Sequence, residues 1–122
     1  MTVTRQKLGR DAERLAERTL VKAGYRILAR NYRVPAGEID LIAEEGDTLV
    51  FVEVKARRSH RFGLPQEAVN PAKQRKICRV ALAFQRSAGR ASQGARFDVV
   101  SVNYLSSGLK VEIIRDAFEF IW

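Results

Sequence analysis

Residues 37–57, GEIDLIAEEGDTLVFVEVKAR, constrain the fold more than any other part of the chain. Two runs of strand-forming residues, 38–44 and 49–57, flank Glu45-Gly46-Asp47-Thr48, a hairpin-loop signal. Strand side chains alternate between faces. With residues 45–48 as the loop, Glu44 faces Leu49, Ile42 faces Phe51, Asp40 faces Glu53 and Glu38 faces Lys55. One face of the ribbon, carrying Ile39, Leu41, Ala43, Val50, Val52 and Val54, is apolar. The other is apolar near the loop and ionic at its far end, where Asp40, Glu53 and Lys55 gather. A slip of one residue would mix the two faces, so burial excludes it; a slip of two keeps Asp40 diagonal to Glu53.

Two carboxylates opposed across a hairpin repel. The run VFVEVKA is apolar enough for a strand covered on both faces, where unpaired carboxylates are costly. Either one of them keeps its proton or a cation sits between them. Two carboxylates suit Mg²⁺ or Mn²⁺, which keeps several waters and accepts phosphate oxygens. Lys55, two residues past Glu53 on the same face, is placed to orient or deprotonate a water or to offset phosphate charge. These are the parts of metal-assisted phosphodiester hydrolysis. The same residues also admit a plainer reading: a surface hairpin with its charges in water, and Glu38 and Lys55 as an ordinary cross-strand ion pair.

Around the hairpin, Leu8, Ala12, Leu15, Ala16, Thr19, Leu20 and Ala23 recur at helical spacing, and Gly24 follows where a helix C-cap belongs. Residues 25–34 read as a strand and Pro35-Ala36-Gly37 as a turn. After a polar loop over 58–70, Asn70 caps a helix that starts at Pro71 and buries Ile77, Val80, Ala81 and Phe84. Residues 96–104 and 109–115 are two more strands, joined at Ser107-Gly108, and Phe118, Phe120 and Trp122 alternate in an extended tail. The order αβββαββ predicts an α/β fold, a central mixed β-sheet with flanking helices, in one domain over 1–122.

The charge balance narrows the partner. Lys and Arg number 22 against 14 Asp and Glu, a net charge of +8, which attracts polyanions and nucleic acid first. Arg57, Arg58 and Arg61 follow the site strand directly, and Lys73 and Lys76 crowd one helix with Arg75 and Arg79; all are placed for phosphate contacts. No apolar run approaches the roughly 20 residues of a membrane span. The N-terminus is charged from residue 5 without an apolar stretch, so no secretory signal is expected and the compartment reads as cytoplasmic. The single cysteine, Cys78, has no internal disulfide partner and reads as a small core residue.

The hairpin, GYRILARNYR at 24–33, Gly9, Glu13 and Ala16 in the first helix, Phe62-Gly63, Lys73, and RFDVV at 96–100 together resemble the YraN-like family of small bacterial proteins. That family in turn resembles the PD-(D/E)XK nucleases, most closely the archaeal Holliday junction resolvases, with a restriction-endonuclease-like αβββαβ core. The resemblance implies catalytic roles for Asp40, Glu53 and Lys55, and for Glu13 in the first helix. It implies metal ligation by Asp40, Glu53 and the main-chain carbonyl of Val54; Ile39 stands where the superfamily has proline. It implies DNA as the partner and a homodimer, for which Phe118, Phe120 and Trp122 are candidate contacts. A nuclease of branched or single-stranded DNA is the expected function. The alternative is a non-catalytic nucleic-acid-binding accessory protein, RNA- or ribosome-related, but a pure binder has no reason to aim two carboxylates at phosphates.

Overall fold

Backbone pairing turns the hairpin into the middle of a larger sheet. The computed structural model describes residues 5–58 and 69–120. Helix α1 (Arg5–Lys22) leads into β1 (Arg26–Val34), β2 (Gly37–Glu45) and β3 (Thr48–Arg57). Helix α2 (Pro71–Ser87) then precedes β4 (Ala95–Leu105) and β5 (Gly108–Phe118). The strands lie in the order β1-β2-β3-β4-β5. β3 and β4 are parallel, joined by the crossover through α2, and the other pairs are antiparallel. The expected αβββαββ order and mixed sheet are thus observed, and among the described residues no helix is long and apolar enough to cross a membrane.

Each element starts and stops for local reasons. α1 ends in a Schellman motif: Gly24, at φ 98, takes the left-handed position, and the Tyr25 N–H donates to the Leu20 carbonyl at 3.0 Å. The Asn70 side chain accepts from the Lys73 N–H at 2.9 Å, the N-cap expected before Pro71. The β2–β3 loop is tighter than the four residues expected. Glu45 pairs with Thr48, leaving Gly46-Asp47 as the turn, with Gly46 at φ 59 as tight hairpin turns require.

The sheet is covered on both faces. Under α2 lie Ile39, Ile42, Leu49, Phe51, Phe97 and Val99; under α1 lie Leu41, Ala43, Val50, Val52, Val100 and Val102. Ile39 departs from the expected alternation, sharing the α2 side with Ile42 while Leu41 lies on the α1 side. The pairs Arg30↔Leu41 and Tyr32↔Ile39 put Asn31 opposite Asp40, and Asn31 takes a left-handed φ of 49. The register stays continuous there, its one shift lying between Ile27 and Ala29, so the break in alternation at Asp40 goes with the left-handed backbone of Asn31 across from it.

The tail turns inward. β5 runs three residues past its expected end, to Phe118, which stacks on Phe97 with ring centroids 4.7 Å apart. Phe120 approaches Phe97 at 4.4 Å. Phe118 and Phe120, expected as dimer contacts, are partly buried against the core; Trp122 lies outside the described residues. Phe97→Ala should lower unfolding free energy by about 3–5 kcal/mol in urea titration, the usual cost of deleting a fully buried ring. Phe120→Ala should cost less and leave the light-scattering mass at micromolar concentration unchanged; a change in mass would restore the tail as an interface.

Candidate functional site

The hairpin register holds as read from Glu44↔Leu49 to Ile42↔Phe51, and ends at Leu41↔Val52. Beyond it the strands part, so Asp40 and Glu53 do not meet as a regular cross-strand pair. Instead the Val54 N–H donates to Asp40 Oδ2 at 2.8 Å. A strand N–H that leaves its ladder still needs an acceptor, and the Asp40 carboxylate supplies it. Val54 pairs on its other side with Val100 of β4, so β3 stays anchored while β2 peels away.

Glu53 is buried at 5% exposure. Burial, then the charge of Asp40, pushes its carboxyl up to about 7. Asp40 is also raised, by burial first, against the pull of the Val54 N–H, Lys55 and Lys73. Lys55 is brought down to about 8, by burial first and then by Lys73. The Lys73 ammonium, at the start of α2, stands 3.4 Å from Glu53 Oε2. Burial opposes its charge, but Lys55, Glu53 and Asp40 together hold its pKa above the ordinary value. Four groups from β2, β3 and α2 thus form one electrostatic unit. Lys73 was expected to touch phosphate; its place against Glu53 depends on how α2 packs, which residue spacing does not encode.

On the α1 side, Glu13, Asn31, Glu38 and Asp40 line a cleft of about 430 Å³. Asn31, its amide turned to suit its neighbours, donates to Glu13 Oε2 and Glu38 Oε1, each at 3.2 Å. Burial and then Asp40 raise the Glu13 carboxyl. The structure therefore brings Glu13 to the Asp40 side of the site. Glu38 pairs with Arg33 at 3.1 Å, so the cross-strand pair with Lys55 is not formed. On the β4 side, Ser101 and Asn103 pair with Lys55 and Arg57 in the parallel register. Both are fully buried, and Asn103 donates to Ser101 Oγ at 3.0 Å. Neither stood out in the sequence, because a polar residue in a strand reads as exposed until its neighbours are known. Arg58, Arg75, Lys76 and Arg79 are exposed, Arg57 is partly so, and Arg61 lies outside the described residues.

Three further carboxylates are engaged elsewhere. Glu44 binds Arg26 and Arg90, and Glu45 binds Arg96 and Arg115, at the opposite end of the sheet. Asp98, fully buried, accepts from Tyr25 at 2.7 Å, Arg96 at 2.9 Å and the Asp116 N–H at 3.0 Å, a structural role. Among the described residues no three His, Cys, Asp or Glu side chains converge as a metal cage. Asp40 Oδ1 and Glu53 Oε1 accept no hydrogen bond among those residues, which leaves two carboxylate oxygens available. Such a pair suits an ion completed by water and phosphate.

A raised carboxyl stabilises the fold fully below its unfolded value and loses that contribution as pH rises through its folded value. For Glu53 the window runs from 4.5 to about 7. In EDTA, Glu53→Gln should therefore gain melting temperature over the parent protein as pH rises from 5 to 8. Parallel melting curves across that range would mean that the Glu53 carboxyl is solvated.

The pattern of the family described as "Uncharacterised protein family UPF0102" matches residues 12–102. A UPF0102 protein of Syntrophus aciditrophicus is 49% identical over 116 residues, 95% of this chain and 91% of the relative. One from Desulfosudis oleivorans is 51% identical over 115 residues, 94% of this chain and 92% of its own. Among solved structures, Pyrococcus furiosus SfsA in complex with Ca²⁺ is 17% identical with a TM-score of 0.37; the match covers 90% of this chain and 62% of that one. The chain belongs to the UPF0102 family.

Proposed function

We propose that the protein is a divalent-metal-dependent nuclease that hydrolyses phosphodiester bonds in DNA, in branched or single-stranded structures. The observation that carries this reading is the buried Glu53 beside Asp40, with Lys55 and Lys73 sharing their charge. Mg²⁺ or Mn²⁺ fits the donor set, held by Asp40, Glu53 and the Val54 carbonyl. A divalent ion held there would supply positive charge to the phosphate oxygens and acidify a water.

The chain's own residues do the rest. Asp40 is held rigid by the Val54 N–H, so its free oxygen keeps one position. Lys55, brought down to about 8, exchanges a proton near neutrality and can take one from an attacking water. Lys73, together with Lys55, offsets the charge of the carboxylates. Glu13 borders the cleft from α1 and is tied to Glu38 across it through the Asn31 amide. Arg57, Arg58 and Lys76 present cations for phosphate, contacts that position without reading sequence.

Labelled four-way junction, duplex and single-stranded DNA should be cut in Mg²⁺ or Mn²⁺, and none in EDTA. Glu53→Gln and Lys55→Ala should abolish cutting while both variants remain folded. Cutting at the parental rate in either variant would mean a contaminating nuclease and end the assignment. Without substrate, a hundredfold excess of Mn²⁺ over its dissociation constant should stabilise the parent protein by about 2.7 kcal/mol. Asp40→Asn should lose that gain yet melt higher than the parent in EDTA, because it keeps an acceptor for the Val54 N–H and removes a charge. No gain in the parent, with a lower melt for Asp40→Asn in EDTA, would make Asp40 structural.

A further inference from the structure

Three hollows lie in line between α1 and edge strand β1. The outermost, about 770 Å³, has Leu15, Val21 and Ile27 among its lining, with Arg18, Lys22 and Arg26 beside them. It shares Glu17 and Arg30 with a second hollow of about 210 Å³. The second shares Arg10, Glu13 and Asn31 with the cleft that reaches Asp40. One groove therefore runs from the C-terminal end of α1 to the candidate site.

The charges along it are ordered. Arg10, Arg14, Arg18 and Lys22 recur every fourth residue on α1, all exposed, and make no ion pair among the described residues. Like charges four apart repel, and although Asp11, Glu13 and Glu17 lie three residues from Arg10 or Arg14, none of the four cations closes an ion pair with them. Its carboxylates sit mostly at the other end: the outer hollow holds four cations and only Glu17, whereas the inner cleft holds Glu13, Glu38 and Asp40. Phosphates would be attracted most strongly at the outer hollow, where cations outnumber carboxylates, and meet a growing share of acidic groups toward the site.

We infer that this groove binds a single-stranded nucleic-acid segment and leads it to the Asp40 site. The inference rests on the nucleic-acid reading above and names the form of its substrate. Two features choose a single strand over a duplex. Successive rungs of the ladder lie about 6 Å apart along the helix axis, nearly twice the roughly 3.4 Å rise per nucleotide of a stacked strand, so they match an extended backbone. The apolar side chains of the outer hollow, with Val21 55% exposed, accept unstacked bases, which a duplex keeps inside. An acidic peptide adding to β1 is the rival occupant. It is disfavoured because the exposed apolar surface beside the cations suits bases better than acidic side chains.

The test is binding, in EDTA, of a fluorescent 12-nucleotide oligothymidylate across a salt series. Arg14→Glu with Arg18→Glu should weaken binding at least tenfold and reduce the salt slope by about 1.4, two phosphate contacts at about 0.7 each. Arg14→Lys with Arg18→Lys should restore it, and Lys110→Glu, on the far edge, should not imitate the loss. Helical circular dichroism checks the fold of each variant. If the parent binds but the α1 reversal has no effect, or polyglutamate of equal charge displaces the oligomer as well as unlabelled strand does, the groove assignment is overturned. If the parent binds no nucleic acid in any form at low salt, the nucleic-acid reading itself falls.

Discussion

The contact on which the site depends is the hydrogen bond from the Val54 N–H to Asp40 Oδ2. It replaces a rung of the ladder with a side chain, so β2 can leave β3 without orphaning a buried donor. Where the strands part, there is room for Glu53, Lys55 and Lys73 to turn toward Asp40. A hairpin paired to its end would have left two carboxylates to repel across it. Asn31 contributes from the other side: its left-handed backbone bends β1 opposite Asp40, and its amide bridges Glu13 and Glu38.

Carboxylates at the two ends of the sheet live under opposite conditions. Arg26, then Gln93, hold Glu44 down to about 2, and Arg115, then Arg96, do the same for Glu45. Glu53 meets burial and Asp40 instead and rises to about 7. The chain has arginines in excess, yet it brings lysines to Glu53: Lys73 at 3.4 Å, with Lys55 beside it. A guanidinium fork would close on a carboxylate with two bonds; an ammonium is a point charge that leaves oxygens open. The difference separates a carboxylate used as a fastener from one kept available.

Much of this was legible in the residues. Period-two alternation and Gly46 set the hairpin register as far as Ile42↔Phe51, and Asn70-Pro71 and Gly24 marked helix ends to within a residue or two. What the residues did not reveal came from tertiary contact. Ile39 changes face because Asn31, a residue tolerant of left-handed backbone, sits across from Asp40. Phe118 and Phe120 looked like an exposed stripe because their neighbour Phe97 is about 20 residues away in sequence. Lys73 meets Glu53 only because α2 crosses over the sheet between parallel strands.

The sheet ends at β1 and β5, and each outer strand displays exposed cations: Arg26, Arg30 and Arg33 on one, Lys110 and Arg115 on the other. Open strand edges invite a neighbouring chain to continue the sheet. Here each of those cations is paired with a carboxylate, Glu44, Glu17, Glu38, Glu112 and Glu45 in turn, so the rims carry long salt-bridged side chains where a neighbouring strand would lie. Charged rims of this kind discourage edge-to-edge growth of a sheet while keeping basic side chains at both of its edges.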